Sequence, residues 1–462
     1  MFYIDKESAV PIYEQLYSTL VDAIKTAALE PGTNLPSTRS LAESLSISRN
    51  TVNKAYYQLA AEGYIQSRPG SGFTINNIPV NSFAPTIHHK MPPAPEVIPF
   101  RYDFDYGNID NTTFPSKQWR KCVNKVLDTA ENRPSVLYPH YAGERPLQEE
   151  IARYLYRSRS VKCTPDQIII TCGHQHSVEI IANMFDGGNK RCAMEDPGYD
   201  GIRSVFTNHN YDMHYIPVEK DGLVCDAATS LPLDLLYVTP SHQFPTGAVL
   251  SISKRIKLLE WACKTEAYII EDDYDSELRY YTNPIPSLQS LDQYERVIYT
   301  GTFSKALSPA IRVAYIVLPH DLLPIYHDFY QLYGSQVSPL HQLALADFIA
   351  EGHFERNINR LRTLYRKKQE ILKEAITEVF ENRIEVSGDG AGLHLLLEID
   401  TDAPPEVLIE KAASIDIKLY PVESYYADPS TAPPCQIMFG FPTVPEDKFK
   451  IILDELKRVW GI

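Results

Sequence analysis

The residues best suited to chemistry lie in the segment TGTFSK at residues 300–305, which Arg312 follows. The amine of Lys305 can form a Schiff base with an aldehyde, and the neighbouring hydroxyls and arginine can hold a phosphate. The apolar run at residues 296–299 predicts a buried strand that ends just before this segment. A surface lysine after a strand is the ordinary alternative, so the assignment depends on the residues that the fold brings beside it.

Four other apolar runs end in polar or small residues, which is typical of a mainly parallel sheet with its site at the strand ends. The runs occupy residues 168–172, 191–195, 235–238 and 267–270. The residues that follow them are therefore expected to lie close together at one edge of the sheet.

The residues after these runs suit one ligand. Gly173-His174-Gln175 opens a helix whose backbone N–H groups can bind a phosphate. Tyr199 follows a Pro-Gly turn and can stack on an aromatic ring. Asp272 can hold a pyridine nitrogen protonated, and Tyr274 can donate to a ring hydroxyl. A helix cap, a turn and a strand end explain each residue alone, but with the lysine segment they predict a pyridoxal-phosphate site.

The composition predicts a multidomain cytoplasmic protein. The chain has 462 residues, 44% of them hydrophobic, and no run approaches the ~18 apolar residues of a membrane span. Its N-terminus lacks the pattern of a signal peptide, and its seven cysteines form no Cys-x-x-Cys pair. We therefore expect reduced thiols, no membrane association and no metal site.

The net charge of −15 belongs almost entirely to the part of the chain after residue 78, which carries −14. Residues 37–68 have a local charge of +2. A small basic face on a near-neutral domain can bind DNA.

The N-terminal residues predict a helix-turn-helix. Apolar residues at helical spacing over residues 11–29 predict a first helix, which Pro31-Gly32 is expected to end. Ser37 is a candidate N-cap for a second helix. A third, over residues 49–59, presents long polar side chains at its N-terminal end. Its inward-facing residues are expected to be Val52, Ala55, Tyr56 and Leu59.

Residues 62–75 predict a two-stranded wing with a glycine-rich tip, in which Arg68 is placed to contact a phosphate or a minor groove. A small helical protein-docking domain is the alternative. Residues 79–100 are rich in proline and predict a semi-extended linker, with a proline-rich docking peptide as the alternative. The predicted domains are thus 1–78, for binding DNA, and 101–462, for binding the cofactor and an effector.

The string LPSTRSLAESLSISRNTVNKAYYQLAAEGYIQSRPGSGF, which begins at Leu35, resembles the GntR-type winged helix-turn-helix. The resemblance implies double-stranded promoter DNA as a partner. It also implies a set of DNA-contacting residues: Ser37, Arg39, Ser48, Arg49, Asn50, Thr51, Asn53, Lys54, Arg68 and Gly70.

The strings EDPGYDG, TPSHQFPTG, EDDYDSELRY, TGTFSKALSPAIRVAY and AGLHLLLEI resemble the aminotransferase-like fold type I domain. With a GntR-type N-terminus, the chain is similar to the MocR/GabR family of bacterial transcription regulators. The implied fold class is α/β. It has an N-terminal winged helix-turn-helix and a C-terminal aminotransferase fold type I, with a mainly parallel sheet and a small C-terminal α/β subdomain.

This resemblance implies pyridoxal 5'-phosphate as cofactor and a role for each site residue. Lys305 would be the Schiff-base lysine, Asp272 would meet the pyridine nitrogen, Tyr274 the ring hydroxyl and Tyr199 the ring face. Tyr138 would reach the phosphate of the neighbouring subunit in a homodimer, with each DNA-binding domain over the partner's body. The residues expected around the phosphate are Gly173, His174, Gln175, Thr302, Ser304 and Arg312.

The chain departs from aminotransferases at several positions. Phe244 replaces the asparagine before Pro-Thr-Gly, and His174 replaces a serine or threonine of the phosphate loop. Met438 stands where an arginine grips a substrate carboxylate, and Gly201 offers no second cation. Lys418 is the nearest basic residue upstream of Met438. These departures count against efficient transamination and against an arginine-held effector.

The leading hypothesis is a regulator in which a small amine or amino acid displaces Lys305 to form an external aldimine, which shifts the domain arrangement and the DNA affinity. One alternative is a regulator of vitamin B6 synthesis that senses pyridoxal phosphate itself. Another is an active aminotransferase with an accessory DNA-binding domain. The effector, the operator and the sign of regulation stay open.

Overall fold

The computed structural model describes residues 4–6, 8–68, 72–78, 100–128, 138–185, 189–281 and 285–462. The chain divides into two compact units, Met1–Val97 and Ile98–Ile462. The predicted linker falls almost wholly outside the described residues, so the domain boundaries drawn from the sequence stay a prediction. No helix of the described ranges is long and apolar enough to cross a membrane.

The N-terminal unit is a winged helix-turn-helix, as predicted. Ser37 caps its second helix by accepting from the N–H of Ser40 at 3.1 Å, and Ser48 caps the third by accepting from Thr51 N–H at 3.1 Å. The four residues predicted to face inward on the third helix are all buried. The elements are α1 (Ile12–Lys25), α2 (Thr38–Leu45), α3 (Arg49–Ala61) and the antiparallel strands β1 (Ile65–Arg68) and β2 (Gly72–Ile75).

The prediction that Pro31-Gly32 ends the first helix is wrong, because α1 ends at Lys25. Ala27 takes a left-handed conformation, with φ of 56°, and turns the chain back. Leu29 then packs against the domain core and donates its N–H to the carbonyl of Ala23 at 2.9 Å. The chain therefore leaves the helix before the proline is reached, and Leu29 becomes partly buried.

The C-terminal unit contains the remaining elements. Its helices are α4 (Ser116–Asp128), α5 (Arg145–Arg159), α6 (His174–Met184), α7 (Asp200–Asn208), α8 (Cys225–Thr229), α9 (Ile252–Thr265), α10 (Leu288–Leu291), α11 (Leu323–Tyr330), α12 (Pro339–Ala350), α13 (His353–Phe380), α14 (Pro405–Ala413) and α15 (Phe449–Trp460). Its strands are β3 (Tyr102–Asp103), β4 (Ile168–Thr171), β5 (Arg191–Asp196), β6 (Asp212–Glu219), β7 (Gly222–Leu223), β8 (Leu235–Val238), β9 (Tyr268–Asp273), β10 (Val297–Thr302), β11 (Ala314–Val317), β12 (Ile384–Ser387), β13 (His394–Ile399), β14 (Ile417–Lys418), β15 (Tyr420–Pro421) and β16 (Gln436–Gly440).

Eight strands form the main sheet in the order β4-β11-β10-β9-β8-β5-β6-β7. The central neighbours, from β10 to β6, are parallel, whereas β11, β4 and β7 pair antiparallel. The predicted runs lie in β4, β5, β8, β9 and β10, so the mainly parallel sheet is confirmed. Every residue of β4, β8, β9 and β10 is buried, as expected of strands covered on both faces.

A smaller C-terminal subdomain contains the antiparallel sheet β12-β13-β16-β15, and its core includes residues of α13, α14 and α15. This confirms the predicted small α/β subdomain. Strand β3 pairs in parallel with β14 of the same region. The segment after β3 is thereby anchored to the subdomain, although it lies more than three hundred residues earlier in the chain.

Three consecutive carboxylates, Glu271, Asp272 and Asp273, are buried at the end of β9. The Asp273 carboxylate accepts from Nε of Arg159 at 2.6 Å and from the Tyr299 hydroxyl. Arg159 is itself buried at the end of α5, so this ion pair ties that helix to the strand that carries the site.

We expect Arg159→Ala to lower the free energy of unfolding by about 3–5 kcal/mol, because it leaves a buried carboxylate without its cation. The matched control is Arg157→Ala on the same helix, which removes an exposed pair with Glu355 and should cost about 1 kcal/mol or less. Urea denaturation of both variants checks this. Equal losses would show that the buried pair is not a main support of the strand end.

Candidate ligand pocket and DNA-binding surface

A cavity of about 210 Å³ lies at the ends of the central strands, where the sequence predicts a site. Nine of the eleven predicted cofactor residues line it: His174, Gln175, Tyr199, Asp272, Tyr274, Thr302, Ser304, Lys305 and Arg312. Gly173 adjoins Arg312. Tyr138 is 99% exposed and does not line the cavity of its own subunit.

Lys305 is half-buried on the cavity wall, three residues after β10. Its Nζ donates to the carbonyl oxygens of Tyr106 at 2.7 Å and Gly107 at 3.0 Å. Burial lowers the pKa of Lys305 to about 8, although the charges of Asp105 and Asp275 act in the opposite direction. The neutral, nucleophilic amine is therefore more populated near neutral pH than that of an ordinary lysine.

Asp272 has one satisfied and one unsatisfied oxygen. Its Oδ2 accepts from the Tyr237 hydroxyl at 2.5 Å and lies 3.2 Å from His174 Nε2. Burial raises the pKa of Tyr237 well above its ordinary value, so the phenol keeps the hydrogen that it donates. Oδ1 is buried with no hydrogen-bond partner among the described residues. An N–H group of a ligand in the cavity would satisfy it.

One corner of the cavity contains several hydrogen-bond donors that could bind an anion. Arg312 has a left-handed conformation, with φ of 54°, and its Nη2 donates to the carbonyl of Cys172 at 3.0 Å. Gly173 has a φ of 117°, and a Cβ there would lie 2.3 Å from the same nitrogen. The hydroxyls of Thr302 and Ser304 lie 2.9 Å apart, and the N-terminal end of α6 faces no capping side chain. Guanidinium, hydroxyl and helix N–H donors are the groups that hold phosphate in proteins.

Tyr274 contacts a buried pair that sequence reasoning missed. His242 Nδ1 lies 2.8 Å from Oδ2 of Asp275 and 3.0 Å from the Tyr274 hydroxyl. Because an ionised carboxylate only accepts, this hydrogen-bond pattern assigns the hydrogen to Nδ1. The Tyr274 hydroxyl cannot donate to a protonated nitrogen, so its own hydrogen is available to the cavity. Burial raises the pKa of Tyr274 well above its ordinary value, which keeps that hydrogen in place.

Sequence reasoning also missed Tyr106 and Gly107, the two residues whose carbonyls hold Lys305. They follow β3, and no motif marks them. His242 and Asp275, in contrast, lie within the strings TPSHQFPTG and EDDYDSELRY, where their position beside Phe244 and Tyr274 could have suggested a role.

The predicted DNA-contacting residues lie on α2, α3, their N-caps and the end of β1. Seven of them are exposed: Ser37, Arg39, Ser48, Arg49, Asn50, Lys54 and Arg68. Thr51 and Asn53 are half-buried, and Gly70 lies outside the described residues. Tyr57, on α3, is 68% exposed and was not predicted.

Several of these side chains already have partners within the domain. Arg39 pairs with Glu43 at 3.0 Å, and Nε of Arg49 donates to the hydroxyl of Thr38 at 3.3 Å. The amine of Lys54 lies 3.6 Å from the centre of the Tyr13 ring. These contacts hold the long cationic side chains of α2 and α3, and exposed pairs of this kind are weak enough to exchange for phosphate contacts.

Comparison with known families agrees with both units. Residues 12–75 match the family of bacterial regulatory proteins of the gntR type, and residues 103–449 match aminotransferase class I and II. Together they define a transcription regulator with an aminotransferase-like domain, which decides against the protein-docking alternative for the N-terminal unit.

Relatives share this combination over nearly the whole chain. The HTH-type transcriptional regulator YdeL of Bacillus subtilis is 39% identical, over 100% of this chain and 99% of its own length. The probable rhizopine catabolism regulatory protein MocR of Rhizobium meliloti is 33% identical, over 92% and 89%. The pyridoxine biosynthesis regulator PdxR of Corynebacterium glutamicum is 32% identical, over 96% and 94%. The chain belongs to the MocR/GabR-type family of transcriptional regulators.

Solved structures show the fold of the C-terminal unit. LysN, an α-aminoadipate aminotransferase from Thermus thermophilus, has a TM-score of 0.70 at 22% identity and covers 78% of this chain and 92% of its own. An archaeal alanine:glyoxylate aminotransferase has a TM-score of 0.71 at 24% identity, over 79% and 91%. The LysN structure holds N-(5'-phosphopyridoxyl)-L-leucine.

We expect His242→Leu to lower the free energy of unfolding by about 2 kcal/mol, because the buried Asp275 carboxylate loses a hydrogen bond. Tyr274→Phe keeps that bond and should cost about 1 kcal/mol or less. Urea denaturation of the two variants measures the difference. If Tyr274→Phe were as costly as His242→Leu, the tyrosine hydrogen would be committed to His242 and not to the cavity.

Proposed function

We propose that the protein is a pyridoxal-phosphate-dependent regulator that binds promoter DNA through α2, α3 and the wing and senses a small amine in the cavity at Lys305. One observation carries the proposal. A half-buried lysine of lowered pKa, an unsatisfied Asp272 oxygen and an anion-holding corner line one cavity.

The residues present fit the cofactor. Asp272 Oδ1 would accept from a protonated pyridine nitrogen, and the corner at Arg312 would hold the phosphate. The Tyr199 ring lines the cavity and would lie against the pyridine, while the Tyr274 hydrogen would reach a ring hydroxyl. When bound, the cofactor would supply an aldehyde carbon that can bond either to the Lys305 nitrogen or to the nitrogen of another amine. Exchange of Lys305 for that amine would pass two hydrogens from the amine to the Lys305 nitrogen and would need no oxidant or reductant.

The hydrogen bonds of Lys305 connect the cavity to a distant segment of the C-terminal unit, and a change at the lysine could be transmitted through them. Its amine is held by two carbonyls of the segment that follows β3, and β3 is paired with β14 near the C-terminal subdomain. Release of Lys305 from the cofactor would change the hydrogen bonds between its amine and this segment. We propose that the position of the subdomain, and through it the DNA affinity, responds to that change.

We also propose a homodimer. Tyr138 is 99% exposed, Leu332 94% and Phe329 50%, and exposed apolar surface of this kind marks interaction sites. In the dimer, Tyr138 would contact the phosphate in the partner's cavity, with each DNA-binding unit over the partner's body. A cytoplasmic location, with access to promoter DNA, is part of the same proposal.

A second candidate is sensing of pyridoxal phosphate itself. The relative named as a regulator of pyridoxine biosynthesis covers 96% of this chain at 32% identity. In that case, occupancy of the cavity alone would set the DNA affinity. The active-aminotransferase alternative is disfavoured by Phe244, a buried aromatic ring on the cavity wall where aminotransferases carry asparagine.

We expect Lys305→Ala to lose both covalent cofactor binding and the amine-dependent change in DNA affinity, because no amine remains to be exchanged. Absorbance spectra and fluorescence anisotropy on a DNA site selected from a random pool measure the two effects. Lys264→Ala is the matched control, since Lys264 is exposed on α9, pairs with Glu260 and does not line the cavity. If the DNA affinity of Lys305→Ala still changed with added amine, the proposal would be wrong.

We expect Arg49→Ala to weaken DNA binding about tenfold and to lower the slope of log affinity against log salt by about 1, as for one lost phosphate contact. The cofactor spectrum should not change. Lys117→Ala, which removes an exposed cation from the C-terminal unit, should leave DNA affinity within about twofold. Unchanged affinity in Arg49→Ala would remove this arginine from the contact surface.

A further inference from the structure

The cavity has few cationic side chains that could bind a ligand carboxylate in addition to the cofactor phosphate. Among the described residues that line it, the fixed or readily charged basic groups are Lys305 and Arg312. Arg312 belongs to the corner that would hold phosphate, and the amine of Lys305 is the group that would be exchanged. The remaining basic side chain, His174, has its Nε2 within reach of Asp272 and Tyr237.

His394 lies 5.5 Å from Phe244 between ring centres, but burial lowers its pKa to about 4, and two other basic side chains are directed elsewhere. The guanidinium of Arg203 donates to the backbone carbonyls of Ser424 at 3.2 Å, Tyr426 at 3.0 Å and Tyr425 at 2.5 Å. Lys418 pairs with Asp103 at 3.7 Å. Neither residue lines the cavity.

Neither of the two positions where a carboxylate-binding arginine could have stood, 201 and 438, holds a cation. A Cβ on Gly201 would lie 2.8 Å from Cζ of Tyr199 and 2.9 Å from Nε2 of Gln175, so no longer side chain fits without displacing them. Met438 is fully buried in β16 and belongs to one apolar cluster with Phe244.

The wall beside Lys305 is aromatic. The Phe244 ring lies 4.8 Å from that of Tyr106, 4.9 Å from Tyr425, 5.9 Å from Tyr199 and 6.1 Å from Tyr274, measured between ring centres. Rings at these separations form a continuous apolar surface.

Negative charge acts on the same wall. Burial raises the pKa of Tyr425, and the charges of Asp200 and Asp105 raise it further. The same two carboxylates act on Tyr106, whose pKa is also raised well above its ordinary value, mainly by burial. A carboxylate placed against this wall would lose its hydration and meet two like charges, and the cation beside the wall is Lys305, the amine that would be exchanged.

We infer that the effector is a small primary amine without a carboxylate, whose body lies against the aromatic wall formed by Tyr106, Tyr199, Phe244 and Tyr274. This inference rests on the proposed sensing of amines and narrows it to one chemical class. It separates the effector from α-amino acids and from GABA, which carry both groups.

The test uses the full-length protein loaded with pyridoxal phosphate and probes that differ only at the carboxylate. Phenethylamine, phenylalanine and phenylalanine methyl ester form one set, and isoamylamine, leucine and leucine methyl ester form another. The esters keep the bulk of the amino acid but not its charge. The cofactor absorbance band and the DNA affinity are followed for each probe.

We expect each amine to shift the band and the DNA affinity at concentrations at least about 100-fold below those of its amino acid, because a site with unmatched polar groups rejects ligands by such factors or more. The esters should behave like the amines. If an amino acid acts at an equal or lower concentration, the inference is overturned while amine sensing stands. If no probe acts and DNA affinity follows pyridoxal phosphate alone, the inference and amine sensing fall together.

A gain-of-function variant provides an independent readout. Met438→Arg places a cation beside the aromatic wall and should lower the amino-acid concentration required by about tenfold or more. Met213→Arg, in β6 and outside the cavity lining, adds the same charge elsewhere and should not. An equal gain in both variants would contradict the inference, and if Met438→Arg does not fold, the comparison of probes on the unaltered protein decides.

Discussion

The site depends on the burial of three consecutive carboxylates at the end of β9. Each must find its own partners, because an unpaired buried charge is costly. Glu271 accepts from the backbone N–H groups of Leu288 at 2.7 Å and Gln289 at 2.8 Å. Asp273 accepts from Arg159. Asp272, the middle residue, points to the other face of the strand because side chains alternate, and there it retains one unsatisfied oxygen beside the cavity. The outer two carboxylates thus fix the strand end, and the middle one is left for a ligand.

The second constraint joins distant parts of the chain at Lys305. The lysine belongs to the loop after β10, but its hydrogen bonds run to the segment after β3, nearly two hundred residues away. Burial lowers the pKa of this lysine to about 8, and the two carbonyls compensate part of the cost of burying its charge. A single amine therefore contacts both the cavity and a segment anchored near the C-terminal subdomain. The proposed sensing requires such a connection, since a ligand shifts an equilibrium only by interacting differently with its two states.

The sequence was sufficient to predict the elements that depend on local pattern. The runs that became β4, β5, β8, β9 and β10, the cap at Ser37 and the inward face of α3 are recognisable because periodicity and capping are local properties. The end of α1, the carbonyls that hold Lys305 and the Asp275–His242 pair were not predictable in this way. Each depends on a tertiary contact between segments far apart in sequence, and no spacing rule encodes which carbonyl will meet which amine. Tyr138 shows a further limit, because its predicted role involves a second subunit.

The distribution of polar groups in the cavity favours exchange over turnover. The groups suited to hold a phosphate, a ring nitrogen and an aldehyde are at hand in Arg312, Asp272 and Lys305. The wall beside Lys305, where a substrate would have to be oriented for proton transfer, is formed by aromatic rings around Phe244. Binding groups alone lower the free energy of a complex without accelerating its reaction, whereas catalysis requires interactions made only in the transition state. In the proposed function, a cavity that held the cofactor firmly and an amine loosely would allow reversible detection of that amine, and the DNA-binding unit of the same chain would give the detection a readout.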